Sequence, residues 1–188
     1  MKQKLIITLS GLFIIFMVGL FIFFFSKDDS SRWQVALGGV LTSALPLLLL
    51  KLKQNPFNIP LIICYYLFLF CTLFLGSISS FYLHFHWWDS TLHFFKGIFI
   101  GFAAIALFKR LIPEAVRSQV SKWVLSLFSI SLAVLASLLW EIYEFVGDLT
   151  LTHTMQRGGN TDTMIDLLVG FSGGLLVSIY ILFKKRSV

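Results

Sequence analysis

Six apolar runs, each long enough to cross or nearly cross a hydrocarbon core about 30 Å thick, dominate this chain and restrict what it can become. They lie roughly at 5–26, 34–52, 58–82, 90–111, 122–146 and 164–183. Lipid offers backbone N–H and C=O groups no partners, so runs of this length must bond internally, as helices. The expectation is an all-α, polytopic transmembrane bundle of about six helices, with residues 1–188 forming one transmembrane domain. Composition agrees: 57% of residues are hydrophobic and only 13% charged, too few charges to cover a soluble domain of this size.

The first run follows Lys2 and Lys4 and resembles a signal peptide in outline. It is long for such a segment and lacks a small-x-small cleavage site before Lys27, so it reads as a retained helix. The second run carries Pro46 and the Gly38-Gly39 pair, and is expected to be tilted, kinked or only partly spanning. Cys64 and Cys71 sit inside one apolar run and read as packing residues. The net charge of +6 does not point to nucleic acid, because the basic residues occupy short loops between apolar runs.

Those loops orient the chain. With the N-terminus inside, inner segments carry eleven Lys and Arg and outer segments three, with Lys96 inside the fourth run. Both termini are therefore expected in the cytoplasm, with the chain passing its membrane several times in contact with lipid.

Placed on that topology, all four histidines and six of the nine acids collect at the outer side. Asp89, His93 and Lys96 fall at i, i+4 and i+7, one stripe of a helix. Glu141, Glu144 and Asp148 repeat that spacing as i, i+3 and i+7, and Asp162 and Asp166 stand four apart. A carboxylate within a membrane helix costs about 2.5–3.5 kcal/mol at the centre and less towards the ends, so such groups turn inward and find partners. Glu144 and Asp148 also meet the negative end of their helix dipole. A divalent cation would compensate all of this. Carboxylates and imidazoles without thiolates suit Zn, Mn or Fe, and bundle helices commonly supply such ligands at i, i+3 and i+4.

On this reading His93, Asp89, Glu141, Glu144, Asp162 and Asp166 are candidate metal ligands, with Glu144, Glu141 and His93 as candidate catalytic groups. Lys96 and Arg157 are candidate contacts for an anionic substrate. Structural roles compete at several positions. Asp89 reads equally as a helix N-cap and Thr163-x-x-Asp166 as a capping box. His84 and His86, among Phe85, Trp87 and Trp88, read as an interfacial aromatic belt, His153 as a solvated loop residue, and Lys96 as a snorkelling side chain. Gly97-x-x-x-Gly101 with Gly170, Gly173 and Gly174 marks faces where helices pack closely.

Three stretches carry a family resemblance: Asp89-Ser-Thr-Leu-His93-Phe94-Phe-Lys-Gly97, Glu141-Ile-Tyr-Glu144-Phe145, and Gln156-Arg-Gly-Gly-Asn-Thr-Asp162-Thr163-Met-Ile-Asp166. In this order they resemble the motifs of YjdF-like bacterial membrane-spanning proteins and, more distantly, VanZ-like proteins linked to glycopeptide resistance. The likeness covers roughly residues 80–180. It departs at Gly159, where the pattern leads one to expect an acid. The resemblance implies a multi-helix inner-membrane protein of the cell envelope and lends no reaction. The leading functional expectation is a metal-dependent membrane hydrolase or transferase acting on a lipid or lipid-linked anionic substrate. A non-catalytic envelope or antibiotic-resistance protein, and a cation or proton translocator, stand beside it.

Overall fold

The protein is described by a computed structural model covering residues 1–150, 155–156 and 158–184. Eight helices follow in order: α1 (Lys2–Phe25), α2 (Ser30–Lys51), α3 (Ile59–Ile78), α4 (Phe81–His84), α5 (Trp88–Leu111), α6 (Glu114–Arg117), α7 (Lys122–Thr150) and α8 (Asn160–Phe183). All but the short α4 and α6 are long and apolar enough to span a membrane, which gives the six spans expected. No strand occurs among the described residues.

Three ends differ from the sequence expectation. α3 stops at Ile78 rather than 82, because Ser80 adopts a left-handed conformation (φ 63°). α7 runs four residues further, to Thr150. α8 begins at Asn160 instead of 164, directly after Gly159 at φ 60° and ψ −144°, a conformation open essentially to glycine alone. That is a physical reason for the absence of an acid at 159.

The chain consists of two compact units, residues 1–88 and 89–188. In the first, Ile6, Ile62, Tyr66 and Leu69 form a buried apolar cluster joining α1 and α3. α2 is α-helical to Ala44 and then winds more tightly over Leu45–Lys51, with Pro46 in the first turn of the tight part. Proline has no N–H for the carbonyl four residues earlier. That carbonyl, on Thr42, instead accepts the Leu45 N–H and, from α3, the Tyr65 hydroxyl at 2.7 Å, and Ser10 Oγ meets Tyr66 OH at 2.5 Å. The expected kink is thus a change of winding, with its freed backbone group satisfied by the tighter turn and a neighbouring helix.

Asp29 opens α2: Oδ1 accepts the Arg32 N–H at 3.1 Å and Oδ2 the Arg32 guanidinium at 2.9 Å. Chiefly the backbone N–H, and then the guanidinium, hold this loop carboxyl below its ordinary value of 3.8. A depressed folded-state pKa gives stability that is complete at neutral pH and fades as pH falls through the acid range. Asp29→Ala is therefore expected to lower stability by about 1 kcal/mol at pH 7. In thermal melts the difference from wild type should shrink towards pH 3.

In the second unit α5, α7 and α8 meet through small residues. A side chain on Gly97 would overlap the Gly170 carbonyl, and one on Gly173 the Phe94 carbonyl, so α5 and α8 touch backbone to backbone. α7 closes the third side, where a Cβ on Gly174 would lie 2.6 Å from Ala133 Cβ. Below this layer Ser129 Oγ donates to Gly101 O at 3.0 Å, and Ser126 Oγ hydrogen-bonds Ser178 Oγ. Phe108, Leu125, Val177 and Ile181 complete the apolar core. The outward faces carry Leu127, Leu135, Leu139 and Leu168, more than two-fifths exposed, as a lipid-facing surface requires.

Candidate cation site in the second unit

The polar ends of α5, α7 and α8 converge. Asp89 and His93 stand one turn apart at the start of α5, and Asp89 Oδ1 lies 3.6 Å from His93 Nε2. Glu141 of α7 places Oε1 3.5 Å from His93 Nδ1. Asp166 of α8 is 1% exposed and accepts Ser90 Oγ from α5 at 3.2 Å. One donor atom each from Asp89, His93 and Asp166 lies within 4.8 Å of the other two, close enough to share a single ion.

The surroundings are buried and short of positive charge. His93 is 2% exposed, Glu141 4% and Glu144 9%. Four carboxylates (Asp89, Glu141, Glu144, Asp166) face one ammonium, Lys96, a formal balance of −3 with the imidazole neutral. Lys96 Nζ lies 3.2 Å from His93 Nδ1 and 4.9 Å from the centre of the Trp140 ring. The Trp140 indole N–H donates to Glu144 Oε1 at 2.7 Å. Two atoms are left over: His93 Nε2 and Glu141 Oε1 are both buried without a hydrogen-bond partner. Buried polar atoms of this kind are rare enough to require an explanation, and a cation between imidazole and carboxylates would satisfy such groups.

The structure sorts the candidate residues. Asp89, His93, Glu141, Glu144 and Asp166 come together. Asp162 sits half-buried one turn before Asp166, with its charge acting on Asp89 and Asp166. Asp89 lies within the first turn of α5 rather than ahead of it, so it is not the N-cap. Thr163 and Asp166 fall inside α8, which removes the capping-box alternative for that pair. Lys96, considered as a headgroup contact, is instead 6% exposed and committed to His93 and Trp140. Asp148, on the same stripe as Glu141, accepts the backbone N–H groups of Met155 and Gln156 at 3.0 and 2.9 Å. His84 and His86 are exposed beside Phe85 and Trp87, as a belt requires, and His84 Nδ1 pairs with Ser80 O. Arg157 and His153 lie outside the described residues.

Sequence reasoning missed Trp140, Ser90 and Ser137. The first was signalled by its place four residues before Glu144, and the second by adjacency to Asp89. Ser137, one turn below Glu141, is 1% exposed and continues the same α7 face.

The profile of the DUF2238 family, described as a predicted membrane protein, matches residues 8–187, nearly the whole chain and all three motif stretches. The chain belongs to this family. Membership extends the likeness beyond residues 80–180 to the first unit, and is consistent with the YjdF-like resemblance. No curated protein and no solved structure matches the chain. For this DUF2238 member, function must therefore be argued from the site itself.

Proposed function

We propose that the second unit binds one divalent cation between Asp89, His93 and Asp166, and that this site serves chemistry on an anionic lipid or lipid-linked substrate at the outer leaflet. One observation carries the cation reading: His93 Nε2 is buried and unpartnered 3.6 Å from Asp89 Oδ1, and one donor atom each from Asp89, His93 and Asp166 lies within 4.8 Å of the other two. The donor set of one imidazole and carboxylates suits Mn, Fe or Zn. A bound cation of this kind supplies Lewis acidity, polarising a phosphoryl or acyl oxygen and lowering the pKa of water. The residues around it have separable roles. Glu141 Oε1, 3.5 Å from His93 Nδ1, is placed to orient the imidazole once that nitrogen carries the proton, Ser90 fixes Asp166, and Glu144, held by the Trp140 N–H, is the carboxylate free to accept a proton.

The outer-leaflet placement rests on the distribution of basic residues, eleven against three, which also favours cytoplasmic termini, while a bacterial inner membrane follows from the YjdF-like resemblance. With Lys96 committed inside the cluster, the cation itself becomes the main anchor for an anionic group. A non-catalytic envelope role, suggested by the distant VanZ-like resemblance, uses the same site as a helix lock. Translocation is disfavoured by two observations: Ser126, Ser129 and Ser178 spend their hydroxyls on helix contacts, and Ala133 meets Gly174 too closely to admit water.

Elemental analysis of protein purified in detergent without added metal tests the proposal. About one transition-metal ion per chain is expected in wild type, and none in His93→Ala. A folded wild-type protein that stays metal-free, and takes up no Mn or Zn on dialysis, would overturn it.

A further inference from the structure

We propose that Lys96 and Glu141 compete for one nitrogen of His93, and that the winner decides whether the imidazole can hold a divalent cation. This rests on the cation-site reading above and adds its internal control. His93 Nδ1 lies 3.2 Å from Lys96 Nζ and 3.5 Å from Glu141 Oε1, while Nε2 faces Asp89 Oδ1 at 3.6 Å with no hydrogen bond.

A neutral imidazole has one N–H and one lone pair. If the Lys96 ammonium donates to Nδ1, the lone pair is there and the proton sits on Nε2. Nε2 then has nothing to give a cation. If the proton sits on Nδ1, Glu141 Oε1 at 3.5 Å is the carboxylate oxygen placed to accept it after a small approach, and the Nε2 lone pair is free on the side of Asp89. A carboxylate behind the imidazole is the arrangement that fixes the tautomer of metal-binding histidines and raises their basicity. Both states cannot exist together, because an ammonium and an N–H are both donors. Lys96 also places a positive charge on the Nδ1 side of the ring that a cation would approach from Nε2, and the Trp140 ring face helps to hold it there. Lys96 is thus a tethered competitor and Glu141 a positioning residue, two groups on different helices acting on one ring with opposite sign.

The test is a Mn²⁺ titration, followed by the electron paramagnetic resonance of free Mn²⁺, on detergent-solubilised full-length wild type, Lys96→Met and Glu141→Gln. Lys96→Met should bind at least about tenfold more tightly, and Glu141→Gln about 10–100-fold more weakly, the range for supporting partners of ligating histidines. A merely structural role would move both affinities in the same direction. Wild type that binds while Lys96→Met is unchanged or weaker removes the competition and leaves the cation site standing. Absence of binding in wild type and Lys96→Met alike removes the cation site and this inference with it. A second measurement needs no variant to fold differently: nitrogen-15 spectra of histidine-labelled, metal-free wild type, with His93 assigned by its loss in His93→Gln. They should show Nε2 protonated, and a proton on Nδ1 in that state overturns the proposal.

Discussion

Gly173→Val is expected to leave the second unit unable to assemble, the largest effect of any single substitution considered. A Cβ at 173 would overlap the Phe94 carbonyl and come 3.1 Å from the Ile98 nitrogen, atoms of the α5 backbone that no rotamer change can move aside. Overpacking against side chains costs about 1–3 kcal/mol, and backbone contact lies at or beyond the top of that range. Total stabilities are only about 5–15 kcal/mol, so such a loss is a large fraction of what the fold has. Gly38→Ala is the matched control. It lies within α2 with nothing within 4 Å of an added Cβ, and alanine is the better helix former by about 1 kcal/mol. Unfolding in mixed detergent should show Gly38→Ala at or above wild type and Gly173→Val far below it. A Gly173→Val protein melting like wild type would mean that α5 and α8 do not meet as described.

Adding Mn²⁺ to chelator-treated wild type should stabilise it by about 2.7 kcal/mol at a hundredfold excess over Kd, and Asp166→Asn should abolish that gain. Asparagine keeps the volume and the capacity to accept from Ser90 Oγ, so the substitution removes charge with little change of shape. In chelator the same variant should be at least as stable as wild type, since it relieves one of the carboxylates facing Lys96. The opposite signs in the two media separate a ligand from a packing residue. A Mn²⁺ shift that survives Asp166→Asn would remove Asp166 from the site.

Six membrane spans were legible because hydrocarbon thickness imposes a length that apolar runs either meet or miss. The spacing of Asp89 and His93, and of Glu141 and Glu144, put each pair on one helix face, and the structure agrees. Depth was harder to read from the same stripes. Lys96 and Asp148 each stand seven residues from a cluster member in sequence, and seven residues is about 10 Å of helix. The stripe fixes the direction in which these side chains point, but rise per residue carries Lys96 inward and Asp148 towards the segment around Met155 and Gln156. The start of α8 was misplaced because a capping pattern at Thr163 competed with a glycine whose backbone angles no periodicity reveals. Partners such as Trp140 have no ionisable group, and a search for ligands passes over them.

The layer where Ala133 abuts Gly174, and where a Cβ on Gly101 would press on Val177 at 2.9 Å, closes α5, α7 and α8 against one another beneath the acidic end of the second unit. Glu141 stands eight residues from Ala133, about 12 Å along α7. An ion held among Asp89, His93 and Asp166 would leave by the door through which it entered. With no passage between these three helices, its occupancy would then follow the composition of one compartment.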